Sequence, residues 1–350
     1  ARLLRQPLSV LAGTAGTGKT SVIQAIVRAV KSTDGDGTSI RILTPTGKAG
    51  DRVRELLREA KVPAQVDTIH SALASNGWLA DNLTFHRRGG KKLDVGTLIV
   101  DETSMLDLEL AAAFARMVDW DTVQRLVLVG DEGQLPPVGR GRVFADVIRW
   151  LEGERPEAIG RLQLNLRQLL NQIEGRGTAV LEVAGMFRAN PAWNKMSAEQ
   201  DGPDDTGATT LAQKDMLERL HAGGEIDKDL AVEFWSKPEE LPALLINRLE
   251  QRMALKTGLK VDEERPYLLW KDAFSKGPAA FQILTPHRGG SHGVENLNQA
   301  CQRRRNASTI ERLGVVDGLT LGDKVIQVRN RSRSNPLSAY DWNLRKVQDV

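Results

Sequence analysis

Leu11-Ala12-Gly13-Thr14-Ala15-Gly16-Thr17-Gly18-Lys19-Thr20 contains G-x-x-x-x-G-K-T without a mismatch. The apolar run Leu8–Leu11 enters it as a buried strand would, and Ile23, Ile26, Val27 and Val30 leave it at helical spacing. A glycine loop between strand and helix turns its backbone N–H groups toward phosphate oxygens, and the helix N-terminus adds positive potential. The pattern predicts a nucleotide site from Gly13, Thr14, Ala15, Gly16, Thr17, Gly18, Lys19, Thr20 and Ser21. Lys19 reaches the β- and γ-phosphates of ATP, and the Thr20 hydroxyl is a magnesium ligand.

A second acid-bearing strand follows. Leu98-Ile99-Val100-Asp101-Glu102 is a buried strand ending in two carboxylates, which in an open parallel sheet fall at the carboxyl edge where ligands bind. Asp101 is the candidate for holding Mg²⁺, largely through water, and Glu102 for activating the attacking water. A third strand, Arg125–Val129, runs into Gly130-Asp131-Glu132-Gly133-Gln134-Leu135-Pro136-Pro137. That stiff loop either brings the Gln134 amide near the terminal phosphate or leaves it as a solvent-facing loop residue.

Other segments are organised around these. Ile40–Leu43 reads as a short buried strand, followed by Thr44-Pro45-Thr46-Gly47-Lys48-Ala49 and a helix over 51–60. Val66–Leu73 carries Thr68-Ile69-His70. Residues 77–93 lose periodicity, with Trp78 and Phe85 among His86, Arg87, Arg88, Lys91 and Lys92. This stretch is a small basic hairpin or a solvated loop, and either aromatic is a candidate for stacking a base or wedging a duplex, or else is core or surface filler.

At 350 residues the chain has room for about two domains. A net charge of +3 does not by itself announce a polyanion partner. The distribution is uneven: twelve acidic against four basic side chains from Met196 to Leu245, and eleven basic against six acidic from Phe281 to Val350. Cys301 is the sole cysteine, which excludes an internal disulfide framework and a cysteine-rich zinc site and fits a reducing, cytoplasmic setting. No apolar run is long enough for a membrane span.

In order and spacing these stretches resemble the RecD/TraA-like branch of superfamily 1 DNA helicases, associated with 5′-to-3′ translocation. Gly13–Thr20 resembles motif I, Leu43–Ala49 motif Ia, Thr68–His70 motif Ib, Val100–Met105 motif II and Val129–Pro137 motif III. Leu162-Gln163-Leu164-Asn165-Leu166-Arg167-Gln168 is similar to motif IV, which implies Arg167 as a cation placed against the γ-phosphate from the second motor domain. Ile283–Gly290 and Gly322–Gln327 resemble second-domain segments.

The resemblance implies an α/β fold: a RecA-like parallel sheet flanked by helices over 1–160, with a partial second RecA-like domain over 161–350. A hairpin insertion falls at 77–93, and an unassigned acidic and helical stretch at 189–280, within which Leu241–Lys256 reads as helical. It implies catalytic roles for Lys19, Asp101, Glu102, Gln134 and Arg167, and contacts from Thr44, Pro45, Thr46, Thr68, His70, Thr285 and Arg288 to single-stranded DNA. Against the family pattern, the chain starts too late for the adenine-reading glutamine and stops before the last motifs, so it reads as part of something longer. An RNA-directed superfamily 1 helicase and a nucleotide-gated binding module without unwinding are the rival readings. A metabolic kinase has no evident use for the Thr-Pro-Thr and Gln-Leu-Pro-Pro stretches.

Overall fold

Strands buried on both faces of a parallel sheet have no polar side to show and read as unbroken apolar runs. Four such runs build the centre of this protein. The structure is a computed structural model and describes residues 2–35, 37–80, 82–188, 211–275, 280–321, 323, 338–341 and 346–349. The chain divides into two units, Ala1–Val232 and Glu233–Val350.

The first unit opens with β1 (Leu8–Gly13), α1 (Lys19–Asp34), β2 (Ile40–Thr44), α2 (Gly47–Glu59), β3 (Gln65–Thr68) and α3 (Ile69–Ser75). It continues through β4 (Thr97–Val100), α4 (Leu108–Met117), β5 (Arg125–Gly130), α5 (Val143–Glu154) and β6 (Ile159–Leu162). The six strands form one sheet in the order β3-β2-β4-β5-β1-β6, and every pairing is parallel. Leu98, Ile99 and Val100 at its centre are fully buried. On one face α1 and α2 cover the sheet with Ile23, Ile26, Val27, Val30, Val53 and Leu57. On the other, Ile69 and Leu73 of α3, Phe114 and Met117 of α4 and Ile148 of α5 pack against Val10, Leu98 and Leu128.

Helix α2 starts four residues before the expected position. The reason is a cap: the Thr46 hydroxyl accepts the Ala49 N–H at 3.4 Å, which draws Gly47 and Lys48 into the first turn.

The division into units falls at 232/233, whereas the sequence reading divides the chain at 160/161. Two facts place it there. Strand β6 pairs with β1 from Val10↔Ile159 to Gly13↔Leu162 and so completes the first sheet. After it, α6 (Leu166–Ile173), α7 (Ala179–Arg188), α8 (Leu211–Ala222), β7 (Gly224–Asp227) and β8 (Leu230–Val232) follow within the same unit, with a small core of Ala179, Met216 and Ile226.

The second unit contains α9 (Leu241–Thr257), α10 (Pro266–Ala273), α11 (Val294–Arg305), α12 (Ala307–Leu313) and the antiparallel pair β9 (Ser338–Asp341) and β10 (Lys346–Asp349). Met253, Leu269, Trp270 and Ala273 form its core. The parallel sheet of a second RecA-like domain is not found among its described residues. Residues 189–210 of the acidic stretch and most of 322–327 lie outside the described residues.

Candidate nucleotide and strand site

Parallel pairing turns the carboxyl end of every strand to the same edge. Gly13 leads into the phosphate loop there, Asp101 follows β4, Gln134 follows β5 and Asn165 follows β6. Thr44 ends β2 and Thr68 ends β3. Within this row β5 stands between β1 and β4. The strand that leads into the Gln134 loop therefore lies between the strands that carry the phosphate loop and the acid pair.

The loop is built tightly. Gly16 and Gly18 have φ of +84° and +87°, the left-handed region that glycine alone enters without strain. Thr17 is buried and its hydroxyl donates to the Thr14 carbonyl at 2.7 Å. Lys19 Nζ donates to the carbonyls of Gly13 at 2.7 Å and Thr14 at 3.2 Å. The ammonium is thus held over the loop, where phosphate oxygens would take over from those carbonyls. Thr20 is half-buried in the first turn of α1 and Ser21 is exposed beside it.

The acid pair sits in a different environment. Asp101 is 5 % exposed. Burial pushes its carboxyl up to about 6; the neighbouring Glu102 charge adds to this, while the Glu102 N–H and Lys19 pull the other way. The N–H of Glu102 donates to Asp101 Oδ1 at 2.9 Å. Glu102 itself has φ +51°, and its Oε2 is buried with no hydrogen-bond partner. A non-glycine residue in that conformation stores strain of roughly 1–3 kcal/mol, and such strain collects at active sites. An orphaned buried carboxylate oxygen beside a raised buried carboxyl fits a place for a hydrated cation and a water.

Among the described residues no cluster of three His, Cys, Asp or Glu side chains offers a ready metal cage. The residues present suit magnesium, which binds through one or two carboxylates and keeps phosphate and water oxygens for the rest.

Gln134 is half-buried and its loop is shaped by Asp131, whose Oδ1 accepts the Gly133 N–H at 3.0 Å. Ser104, in the helical turn Thr103–Met105 after the acid pair, donates its hydroxyl to Gln134 Oε1 at 3.2 Å. That bond ties the acid strand to the Gln134 loop, and the sequence reading gave Ser104 no role. A small hydroxyl residue in a turn carries no signal until its partner, thirty positions away, is known.

Arg161 on β6 is a second unforeseen tie. It pairs with Glu132 of the Gln134 loop and, at 2.5 Å, with Glu152 of α5. Arg167, at the start of α6, is exposed, and its N–H donates to the Gly16 carbonyl at 3.3 Å. It stands in the same unit as the phosphate loop, although the resemblance assigns it to a second motor domain.

The expected strand contacts divide by exposure. Thr44 is fully buried and its hydroxyl is spent on the Thr46 carbonyl at 2.9 Å, so it shapes the turn rather than facing out. Pro45 and Thr46 are half-buried. Thr68 is half-buried and caps α3 by accepting the Ser71 N–H at 3.0 Å, and His70 is exposed with its ring 6.0 Å from that of Phe85. Trp78 cannot stack a base: it is 5 % exposed, packed in the core, and its Nε1 donates to the Lys91 carbonyl at 2.7 Å. It roots the segment in which the bridge Leu79↔Phe85 is followed by exposed Arg87 and Arg88, between the backbone bonds His86 N–H to Trp78 and Lys91 N–H to Asn76. In the second unit, Thr285 donates to the His292 carbonyl at 2.7 Å and Arg288 is exposed.

A glycine loop between β1 and α1, on a parallel sheet with an acid pair at the same edge, defines a P-loop NTPase domain. The profile of the AAA domain family matches residues 1–140. An uncharacterised protein of Methanocaldococcus jannaschii is 38 % identical over 98 % of this chain and 28 % of its own. The RecBCD enzyme subunit RecD of Mycolicibacterium smegmatis is 27 % identical over 89 % of this chain and 50 % of its own. The ATP-dependent RecD2 DNA helicase of Deinococcus radiodurans is 32 % identical over 38 % of this chain and 17 % of its own. The chain is similar to RecD-type helicases, and it spans half or less of the length of these relatives. Among the described residues no helix is long and apolar enough to cross a membrane.

Proposed function

We propose that this chain is motor machinery of an ATP-dependent DNA helicase or translocase, coupling ATP hydrolysis to movement on single-stranded DNA in the 5′-to-3′ direction. The observation that carries the reading is the strained Glu102, with a buried carboxylate oxygen lacking a partner, on the sheet edge that also holds the phosphate loop.

Lys19 and the loop N–H groups bind the phosphates of ATP. Thr20 and Asp101 are the residues that would hold Mg²⁺, which neutralises phosphate charge when bound. Glu102 accepts a proton from water as the water oxygen bonds to the γ-phosphorus and the bond to the β-phosphate oxygen breaks. Gln134, held by Ser104, registers whether the γ-phosphate is present. Arg167 supplies a cation against the charge that develops, a contribution of ~10³ or more in rate where such arginines act. Family resemblance assigns residues 161–350 to a second motor domain, although β6 and the elements through β8 stand in the first unit here, and 77–93 to a small insertion in the first.

Pro45, Thr46, Thr68 and His70 on the first unit, and Thr285 and Arg288 on the second, are the candidate contacts to the strand. Hydroxyls and cations of this kind position a phosphate backbone without reading sequence. The reducing, cytoplasmic setting follows from the same reading.

Steady-state ATP hydrolysis at low salt, with and without single-stranded DNA and single-stranded RNA, tests the proposal. Low salt matters because phosphate-mediated binding weakens steeply as salt rises. DNA-stimulated turnover that Lys19→Ala and Glu102→Gln both abolish is the expected result, with Glu102→Gln still binding nucleotide. Binding of nucleotide and DNA without turnover would instead describe a nucleotide-gated binding module, and preferential stimulation by RNA would redirect the motor to that substrate.

A further inference from the structure

The phosphate loop and Arg167 have so far been two parts, and one side chain joins them. Asn165 Nδ2 donates to the Ala15 carbonyl at 3.1 Å, while its Oδ1 accepts the Gln168 N–H at 3.0 Å and caps α6. Two residues after Asn165, the Arg167 N–H reaches the Gly16 carbonyl at 3.3 Å. The approach is so close that a Cβ on Gly16 would stand 2.7 Å from Asn165 Oδ1 and 2.8 Å from Arg167 Cβ.

The Ala15 carbonyl and the Gly16 N–H are opposite ends of one planar trans peptide. Holding the oxygen on the α6 side therefore turns the N–H the other way, as a phosphate donor of the loop requires. We infer that Asn165 is a positioning residue: its amide presets the Gly16 peptide for phosphate and, through the cap, sets where Arg167 begins its helix. Phosphate in the loop and the stance of Arg167 are then coupled through a single side chain. The inference rests on the nucleotide-binding part of the proposed function.

Three substitutions separate the tie from the cap. Asparagine, aspartate and serine all cap helices well, and alanine does not. Asn165→Asp keeps the cap but has no N–H for the Ala15 carbonyl; Asn165→Ser keeps a cap, is uncharged and is too short to bridge. Asn165→Ala loses both functions.

Binding of the fluorescent nucleotide mant-ADP with Mg²⁺, DNA-stimulated kcat and KM, and thermal melting are measured on the full chain. In Asn165→Ser and Asn165→Asp we expect melting close to the original chain. Loss of one hydrogen bond to the loop should weaken mant-ADP binding about five- to tenfold, with a fall in kcat beyond the rise in KM because Arg167 is no longer placed. A residue that only caps α6 predicts the reverse: nucleotide affinity within twofold in Asn165→Ser, and lower stability in Asn165→Ala alone. That result overturns the inference. If the original chain binds mant-ADP yet shows no turnover, the motor reading fails while the affinity comparison still decides the role of Asn165. If it binds no nucleotide at all, both fall together.

Discussion

Burial at the carboxyl end of β4 makes the ionised form of Asp101 expensive to the fold. Its carboxyl is pushed up to about 6 from an ordinary value of 3.8, chiefly by loss of solvent. The folded state therefore binds this proton more tightly than the unfolded state does. Stability on this account is full below about pH 4, falls as pH rises through about 6, and stays low above it. A shift of this size corresponds to roughly 3 kcal/mol at most. Asp101→Asn removes the charge at nearly constant shape. Melting of the apo variant at pH 7.5 should exceed that of the original chain by about 2–3 kcal/mol of stability, with the gap closing toward pH 4. Magnesium should narrow the gap at pH 7.5 by stabilising only the chain that keeps the carboxylate. A gap that does not change with pH would mean that Asp101 is solvated where it stands. The same residue shows a general tension at functional positions: what suits a cation does not suit a fold left without one.

At the scale of elements, legibility followed the strength of the local physics. Leu98–Val100 and Leu126–Val129 are apolar runs that suit only buried strands, and Gly16 and Gly18 mark a turn that other residues enter under strain. With the apolar runs Leu8–Leu11 and Ile40–Leu43 and the Gly13–Thr20 pattern, these located the sheet, the phosphate loop and the acid pair. Strand β6 was missed because Ile159-Gly160-Arg161-Leu162 is short and half polar, and becomes a strand only by pairing with β1. Asn165 and Ser104 were missed for the related reason that their meaning lies in partners 150 and 30 positions away. Trp78 stays open between base platform and core filler in the sequence because sequence gives no depth, and an aromatic among basic residues looks the same whether it roots a loop or crowns it. Its burial gives a prediction. Trp78→Ala should cost about 3–5 kcal/mol in urea unfolding, as buried aromatic truncations do. It should also open the Arg87–Arg88 segment to trypsin, since the Nε1 bond to Lys91 is lost too. Trp78→Phe should keep most of the packing and leave DNA affinity unchanged. A large loss of DNA affinity in a stable Trp78→Phe chain would restore the ring as a base platform.

At the scale of the whole molecule, the residues that support nucleotide binding and those that hold the second unit together are separate sets. Every candidate ligand of the nucleotide's phosphates and of its cation lies between Gly13 and Arg167, within the first unit. The second unit is centred on Glu250, a carboxylate 3 % exposed on α9. Glu250 Oε1 accepts from Trp270 Nε1 at 2.8 Å and from Arg304 Nε at 2.9 Å, and Oε2 accepts from Arg304 Nη2 at 2.9 Å. This one side chain pins α10 and α11 to α9, and the pairing raises the Arg304 guanidinium further above its already high value. A buried ion pair need not outperform an apolar contact in its place, but removing one partner leaves the other uncompensated, at a cost of about 3–5 kcal/mol. Arg304 keeps some solvent and a second partner in Glu263, so the lower end applies to Glu250→Ala. Calorimetry with and without MgADP reads both sets at once. Nucleotide at about one hundred times its Kd should add roughly 2.7 kcal/mol to whatever unfolds with the phosphate loop. Glu250→Ala should lower the melting of the second unit, leave mant-ADP affinity unchanged, and affect a transition that MgADP does not move. If MgADP and Glu250→Ala instead shift one common transition, the two units unfold as a single cooperative body, and an injury at Glu250 is felt at the phosphate loop.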